Sequence, residues 1–425
     1  MRWRSWSAGC IGVCMTNTRR RSLFLPSATV LMSLLGCDDE PIIPLSSAVC
    51  EGPAWSFKRD LGFTQWTDIG GHAAVSGDRV LVVWQERQEN QGEHDEAKFL
   101  MLDADTGKPI SDARVLAGGA FIGDVFVLGG GADNGEDGDF LVFVTQNQRS
   151  TVFHIDSAGV TTRTGTTFPS WSQRGAAVTS NGVVVLGNAE LLRLDRRGRL
   201  LERIITSDWA GSCDSVVVTP GDRLLAWCFD SIEERRFLLA VNDDGTDPVR
   251  TELSEFDNWT ARLAATDDGV YLAFADGHDL VASFRNFDGA ELTPPVELPR
   301  QKRGEIVGAT GCGATCKGTA LAAQGDAALF SVVSWSADDE GRFDWAKHAE
   351  VYHLTVEGGV VVASDRGLRT VETTLTMSSS NSSPVSTWSD FGLHIPIVDG
   401  WPPPVLHVER GCVLQPSEKA SEIDG

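Results

Sequence analysis

The stretch AVSGDRVLVVW (74–84), followed after a polar interval by FLMLDADTGKPI (99–110), decides how this chain folds. Val80–Trp84 and Phe99–Leu102 are short runs rich in Val, Leu and aromatic residues. Ser76-Gly77-Asp78 bounds the first and Asp103–Lys108 follows the second, so both read as strands that end in turns. The arrangement returns as AAVTSNGVVVLG (176–187) with LLRLDRRGRLL (191–201), and as VVVTPGDRLLAW (216–227) with FLLAVNDDGTDPV (237–249). It returns again as LAATDDGVYLAF (263–274) with LVASFRNFDGAEL (280–292). Looser copies run through VFVLGGG (125–131), FLVFVTQ (140–146) and VFHIDSAGV (152–160), and through TALAAQGDAALFSVVSW (319–335) and EVYHLTVEGGVVV (350–362).

No segment carries a long apolar period of 3.6 residues, and the 44 glycines punctuate the chain with turns. The fold class is therefore all-β. The Asp/Gly turns at Gly107, Gly159, Gly198, Gly245, Gly289 and Gly358 lie mostly ~40–50 residues apart, the repeat length of propeller blades. A lone four-stranded unit cannot cover both its faces, whereas radial stacking covers them and leaves short edges. Six units are visible. HIPIVDGWPPPVLHVERGCVL (394–414) supplies strands of a seventh, which Cys50–Phe63 completes. The expectation is a β-propeller of seven blades, with six or eight as alternatives, closed by its N- and C-terminal segments. Thr373–Ser389, rich in Ser and Thr, reads as an outer strand or an exposed insertion.

LDADTGKPI (102–110) resembles the strand-end turn of pyrroloquinoline-quinone-type repeats, close to LDAxTGxxxW, with Pro109-Ile110 replacing the usual ending. The resemblance covers residues 70–365 and implies an exported bacterial propeller. It implies no quinone, because that turn belongs to the blade and not to a cofactor site.

Residues 1–36 hold five Arg and no acid, and Arg19-Arg20-Arg21 precedes an apolar run over 23–35. That run is too short to cross a bilayer as a helix and has the order of an export signal. Leu34-Leu35-Gly36-Cys37 resembles a bacterial lipobox, which implies cleavage before Cys37 and lipidation of its thiol. Met15 is an alternative start. The expected organisation is a lipoprotein signal peptide (1–36), a lipidated tether (37–49), the propeller (50–416) and a polar tail (417–425). The expected location is the bacterial cell envelope, membrane-anchored, with the domain periplasmic or surface-exposed.

Lys and Arg total 36 against 59 Asp and Glu, a net charge of −23. Such a surface excludes phosphate-backbone binding as a main function and is expected to repel nucleic acid and anionic lipid. Six of the nine Cys remain after the signal and Cys37 are set aside: Cys50, Cys213, Cys228, Cys312, Cys316 and Cys412. An even number in an exported chain points to disulfides. The favoured pairings are Cys213 with Cys228 across the Pro220-Gly221-Asp222 turn, Cys312 with Cys316 in one Gly-rich loop, and Cys50 with Cys412 near the chain ends. The spacing of Cys312 and Cys316 does not fit c-type haem, and a zinc site would need further Cys or His nearby.

Little else in the chain carries chemistry. DNGEDGD (133–139) gathers Asp133, Glu136, Asp137 and Asp139, a weak calcium candidate against a plain hairpin tip, since Gly135 stands where a third ligand belongs. No other cofactor or metal is implied. SWSADDEGRFDW (334–345) resembles the structural Asp-box of sialidase-type propellers, with Gly341 and Trp345 displaced. Gly129–Gly131 lacks the Lys and Ser/Thr of a phosphate cradle, and no nucleophile elbow occurs. Trp84, Trp227 and Trp335 read as core, and Trp401, before three Pro, as the best exposed aromatic. The expected function is a non-catalytic binding or scaffold module for an envelope protein or glycan. The alternative is a glycosidase- or sialidase-like hydrolase with carboxylates at the central mouth. An enzyme predicts acids that converge there, and a scaffold predicts an apolar patch on a face or rim.

Overall fold

The computed structural model describes residues 55–60, 71–88, 94–120, 122–130, 139–169, 175–187, 190–205, 212–230, 233–253, 260–276, 279–298, 319–324, 326–337, 343–369, 387–389, 392–399 and 405–411. Every described strand lies within Ser47–Gly425. Among the described residues no helix is long and apolar enough to cross a membrane.

The chain opens on β1 (Trp55–Asp60) and then builds sheet after sheet. Sheet 1 is β2 (Gly71–Ser76), β3 (Arg79–Gln88), β4 (His94–Asp103) and β5 (Arg114–Ala120). Sheet 2 is β6 (Ile122–Gly129), β7 (Phe140–Gln146), β8 (Arg149–Ile155) and β9 (Thr161–Pro169). Sheet 3 is β10 (Ala176–Thr179), β11 (Gly182–Gly187), β12 (Glu190–Leu194) and β13 (Leu200–Ile205). Sheet 4 is β14 (Ser212–Thr219), β15 (Arg223–Asp230), β16 (Arg235–Asn242) and β17 (Val249–Glu252). Sheet 5 is β18 (Thr260–Ala265), β19 (Val270–Asp276), β20 (Asp279–Arg285) and β21 (Val296–Glu297). Sheet 6 is β22 (Thr319–Gln324), β23 (Ala327–Ala337), β24 (Phe343–Glu357) and β25 (Val360–Arg369). Sheet 7 is β26 (Thr387–Ser389), β27 (Gly392–Asp399) and β28 (Val405–Gly411), and β1 supplies its fourth strand.

Each sheet is an antiparallel meander. The first strands lie side by side in the order β2, β6, β10, β14, β18, β22, β26, and β26 returns to β2. The inner strands therefore close a ring, and the fold is a β-propeller. Sheet 7 joins the two ends of the domain, with Trp55 opposite Arg410 and Asp60 opposite Val405. One expectation is corrected here. Thr387–Ser389, at the end of the Ser/Thr-rich stretch, is an inner strand, not an outer strand or an insertion. Short hydroxyl residues kept its β-character out of any apolar pattern.

Successive residues of a strand point to opposite faces, and here both faces are buried. Leu81, Val83, Phe99 and Met101 pack against Val125, Val127, Phe140 and Val142 of sheet 2. Their neighbours Val80, Val82, Trp84, Leu100 and Leu102 form the core on the other face of sheet 1. This is why the second and third strands read as unbroken apolar runs instead of alternating. The same packing joins sheets 2 and 3 through Phe143, Val152, Val183 and Leu192. Leu186, Leu191, Ala226 and Phe237 join sheets 3 and 4. Trp84 and Trp227 are buried, as their strand positions predicted.

Polar groups fasten the same junctions. The Asp95 carboxylate accepts the Ile122 amide at 2.8 Å, and the Gln85 amide donates to the Ile122 carbonyl. The Ser215 hydroxyl accepts the Leu263 amide at 3.2 Å. The Tyr271 phenol donates to the Asp326 carbonyl at 2.8 Å. Burial first, then the carboxylates of Asp326 and Asp268, push that phenol up to about 12. It therefore stays protonated, and stays a donor, at any physiological pH.

Candidate functional site

The Asp/Gly turns are joints between sheets. In 156–160, 195–199 and 286–290 the Oδ1 of Asp156, Asp195 or Asn286 accepts two backbone amides of its own turn. The glycine that follows sits at positive φ: Gly159 at 76°, Gly198 at 75° and Gly289 at 85°. Each tip leans on the preceding sheet. A Cβ at Gly198 would lie 2.7 Å from Val152 Cγ1, and one at Gly289 would lie 3.2 Å from the Leu238 Cβ. Asp103 and Asp244 cap related turns. Hydrogen bonds from Thr106 and Thr246 hold their carboxyls below the ordinary value. The repeat signature thus has a packing function in this chain.

Other acids bridge sheets. Asp222 accepts the Ser180 amide at 2.9 Å and also its hydroxyl. Asp243 accepts the Asn181 side chain at 3.1 Å, and Asp288 takes Arg223 at 2.9 Å. Arg250 is gripped by Asp230 at 3.0 Å, by Glu233 at 3.1 Å and by Glu252, and lies 4.1 Å over the Phe237 ring. Burial opposes the Arg250 charge, but hydrogen bonds to Glu252 and Asp230 outweigh it and raise its pKa.

The residues singled out from sequence divide as follows. Cys213 and Cys228 stand opposite each other on β14 and β15 and form a disulfide. Cys37, Cys50, Cys312, Cys316 and Cys412 lie outside the described residues, as do Asp133, Glu136, Asp137 and Trp401. Asp139, the described member of the calcium candidate, receives His154 Nε2 at 2.9 Å and the Ser157 amide at 3.2 Å. Among the described residues no group of three His, Cys, Asp or Glu side chains gathers as metal ligands.

A surface that the sequence did not flag stands out instead. β13, the outer edge of sheet 3, reads LLERII, and its residues are exposed except for half-buried Ile204. Leu200 is 44% exposed, Leu201 62% and Ile205 79%. A bulge opposite Arg193 and Leu194 takes Leu201 out of the ladder. The turn before β13 brings Arg197 and Arg199 to the same rim, both exposed. The Leu200 amide donates to the Thr166 hydroxyl at 2.9 Å, which ties the start of the rim to sheet 2. Three exposed aliphatics on one short edge strand make it a candidate contact surface. The signal lay in the sequence: after the Asp195 turn Leu200-Leu201 breaks period-2 alternation, but apolar residues inside a repeat read as core.

No protein-family model matches the chain, and no curated protein matches it. Solved structures share the general architecture at low similarity. A quinoprotein alcohol dehydrogenase-like protein from Bacteroides thetaiotaomicron has 11% identity and a TM-score of 0.42, over 73% of this chain and 69% of that one. The β-propeller domain of the Trilobed protease from Pyrococcus furiosus has 6% identity and a TM-score of 0.41, over 80% and 91%. A subtype N10 neuraminidase-like protein of a bat influenza A virus has 8% identity and a TM-score of 0.38, over 71% and 98%. At these values the likeness says nothing about function, and the fold rests on strand order and closure.

Proposed function

We propose that the protein is a non-catalytic binding or scaffold module of the bacterial cell envelope, anchored by lipid at Cys37, that holds an envelope protein or glycan. The observation that carries this is the sheet 3 rim with Leu200, Leu201 and Ile205 turned to solvent. Aliphatic side chains left in water on an ordered strand are recovered energetically when something covers them. The bridging and capping roles of Asp95, Asp195, Asp222, Asp243 and Asp288 favour this over the hydrolase alternative, because those carboxylates are engaged in holding sheets and turns together.

A photo-crosslinking residue placed at Ile205 in cells tests the rim directly. The expected result is a discrete adduct with an envelope component at Ile205, and none at Val249, an exposed residue on the outer strand of sheet 4. No adduct at Ile205, or equal adducts at both positions, would remove the rim as a contact surface.

A further inference from the structure

We propose that the sheet 3 rim rests on an anionic lipid surface. This goes beyond the functional assignment above: it rests on the rim being a contact surface, gives that rim to lipid, and leaves the protein or glycan to another part of the surface. In a chain with 59 acids and 36 basic residues, the segment RLDRRGRLLERII (193–205) carries five Arg against Asp195 and Glu202. The structure sorts these charges. Asp195 is turned into its own turn, where Oδ1 accepts the amides of Arg197 and Arg199. Glu202 is held by Arg193 at 3.0 Å. Arg196 donates to the carbonyls of Thr179 and Ser180, both at 3.2 Å.

Arg197 and Arg199 remain facing outward, together with Arg203, which lies 3.5 Å from Glu190 and keeps an exposed side chain. They are interleaved with Leu200, Leu201 and Ile205. Guanidinium groups pair with phosphate oxygens through two parallel hydrogen bonds. Aliphatic neighbours enter the boundary between headgroups and acyl chains. A convex rim needs no complementary groove for this.

The net charge of −23 opposes association overall and acts only on orientation. Anionic lipid repels the acidic remainder and attracts the arginine rim, which selects one orientation. General repulsion from anionic lipid is the expectation for the acidic surface as a whole, and the proposal departs from it at this strip alone. Strand addition by a peptide is the weaker alternative, because the bulge takes Leu201 out of register at the edge where a partner strand would pair.

The test uses the chain from residue 37 onward with Cys37→Ser, so that neither an acyl chain nor the basic apolar leader contributes. Flotation is measured with vesicles of phosphatidylglycerol and phosphatidylethanolamine, and with vesicles of phosphatidylcholine alone. The protein is expected to float with the anionic vesicles, to stay behind with the neutral ones, and to be released by salt. R197E/R199E/R203E is expected to weaken anionic binding at least a hundredfold, at about fivefold per arginine. L201S/I205S is expected to weaken it too, and R235E, on sheet 4, to leave it unchanged. Circular dichroism checks that each variant is folded, and the salt dependence of the unaltered rim needs no variant.

Equal binding to neutral vesicles, no binding to anionic ones, or indifference to the arginine reversals would overturn the proposal. A protein adduct at Ile205 without vesicle binding would remove the lipid and leave the contact-module assignment standing. Neither adduct nor vesicle binding would remove both.

Discussion

Gly129→Ala is expected to destabilise the domain by about 2–4 kcal/mol, read as a shift of the urea midpoint. Gly129 ends β6 where that strand crosses the end of β2. A methyl group there would overlap the Val75 carbonyl oxygen, which is backbone and has no rotamer by which to move aside. The junction is also pinned by the Ser76 hydroxyl, which donates to the Gly130 carbonyl at 2.9 Å. The change must therefore push sheet 2 away from sheet 1, and the packing of Leu81 and Val83 on Val125 and Val127 goes with it. Gly165→Ala is the control. Gly165 has a φ of 83° but nothing within 4 Å of its added Cβ, so it carries backbone strain alone, about 1 kcal/mol. Equal losses at the two sites would mean that close approach of the inner strands is not what requires Gly129.

Trp227→Ala is expected to cost about 3–5 kcal/mol, by the same measurement. The indole is fully buried between sheets 4 and 5, among Leu225, Leu238, Leu263 and Leu272. It meets Phe274 edge to face at a centroid distance of 5.4 Å, and the Arg236 guanidinium lies 5.9 Å from its ring. Removing it leaves a cavity that two paired sheets cannot collapse to fill. A loss below about 1 kcal/mol would show that the sheet 4–5 junction is not a close-packed core.

The parts of the fold that are legible in sequence are those whose burial is two-sided. LLAW in β15 and VLVVW in β3 announce themselves because both faces of those strands must be apolar. The turns were legible because only a few residues cap amides or accept positive φ, and Asp195 and Gly198 are of those types. The fourth strands were not. β9 is TTRTGTTFP, β17 is VRTE and β21 is VE, each an outer edge paired on one side and partly in water, so none shows an apolar rhythm. β26 is an inner strand, but it is three residues long and its hydroxyl residues show no apolar rhythm either. The disulfide of Cys213 and Cys228 was legible from the turn between them, which brings the two strands into register.

The rim was hidden in a different way. Periodicity says which residues lie on one face, but not whether another sheet covers that face. Leu191 and Leu201 look alike in the repeat, yet Leu191 is buried against sheet 4 and Leu201 is 62% exposed. The difference is set by strand order, since β12 is internal and β13 is an edge. Arginines near the rim were likewise lost in a chain whose acids outnumber its bases. Their arrangement emerges only when Asp195 and Glu202 are seen to be engaged elsewhere.

The central claim is that this propeller holds an envelope component and does not turn one over. Affinity capture with the full chain, from detergent-solubilised envelope of its own cells and read by mass spectrometry, tests it most directly. One protein or glycan component is expected in near-equal amount with the bait and absent from an unrelated acidic bait. Recovery of nothing above that background would contradict it.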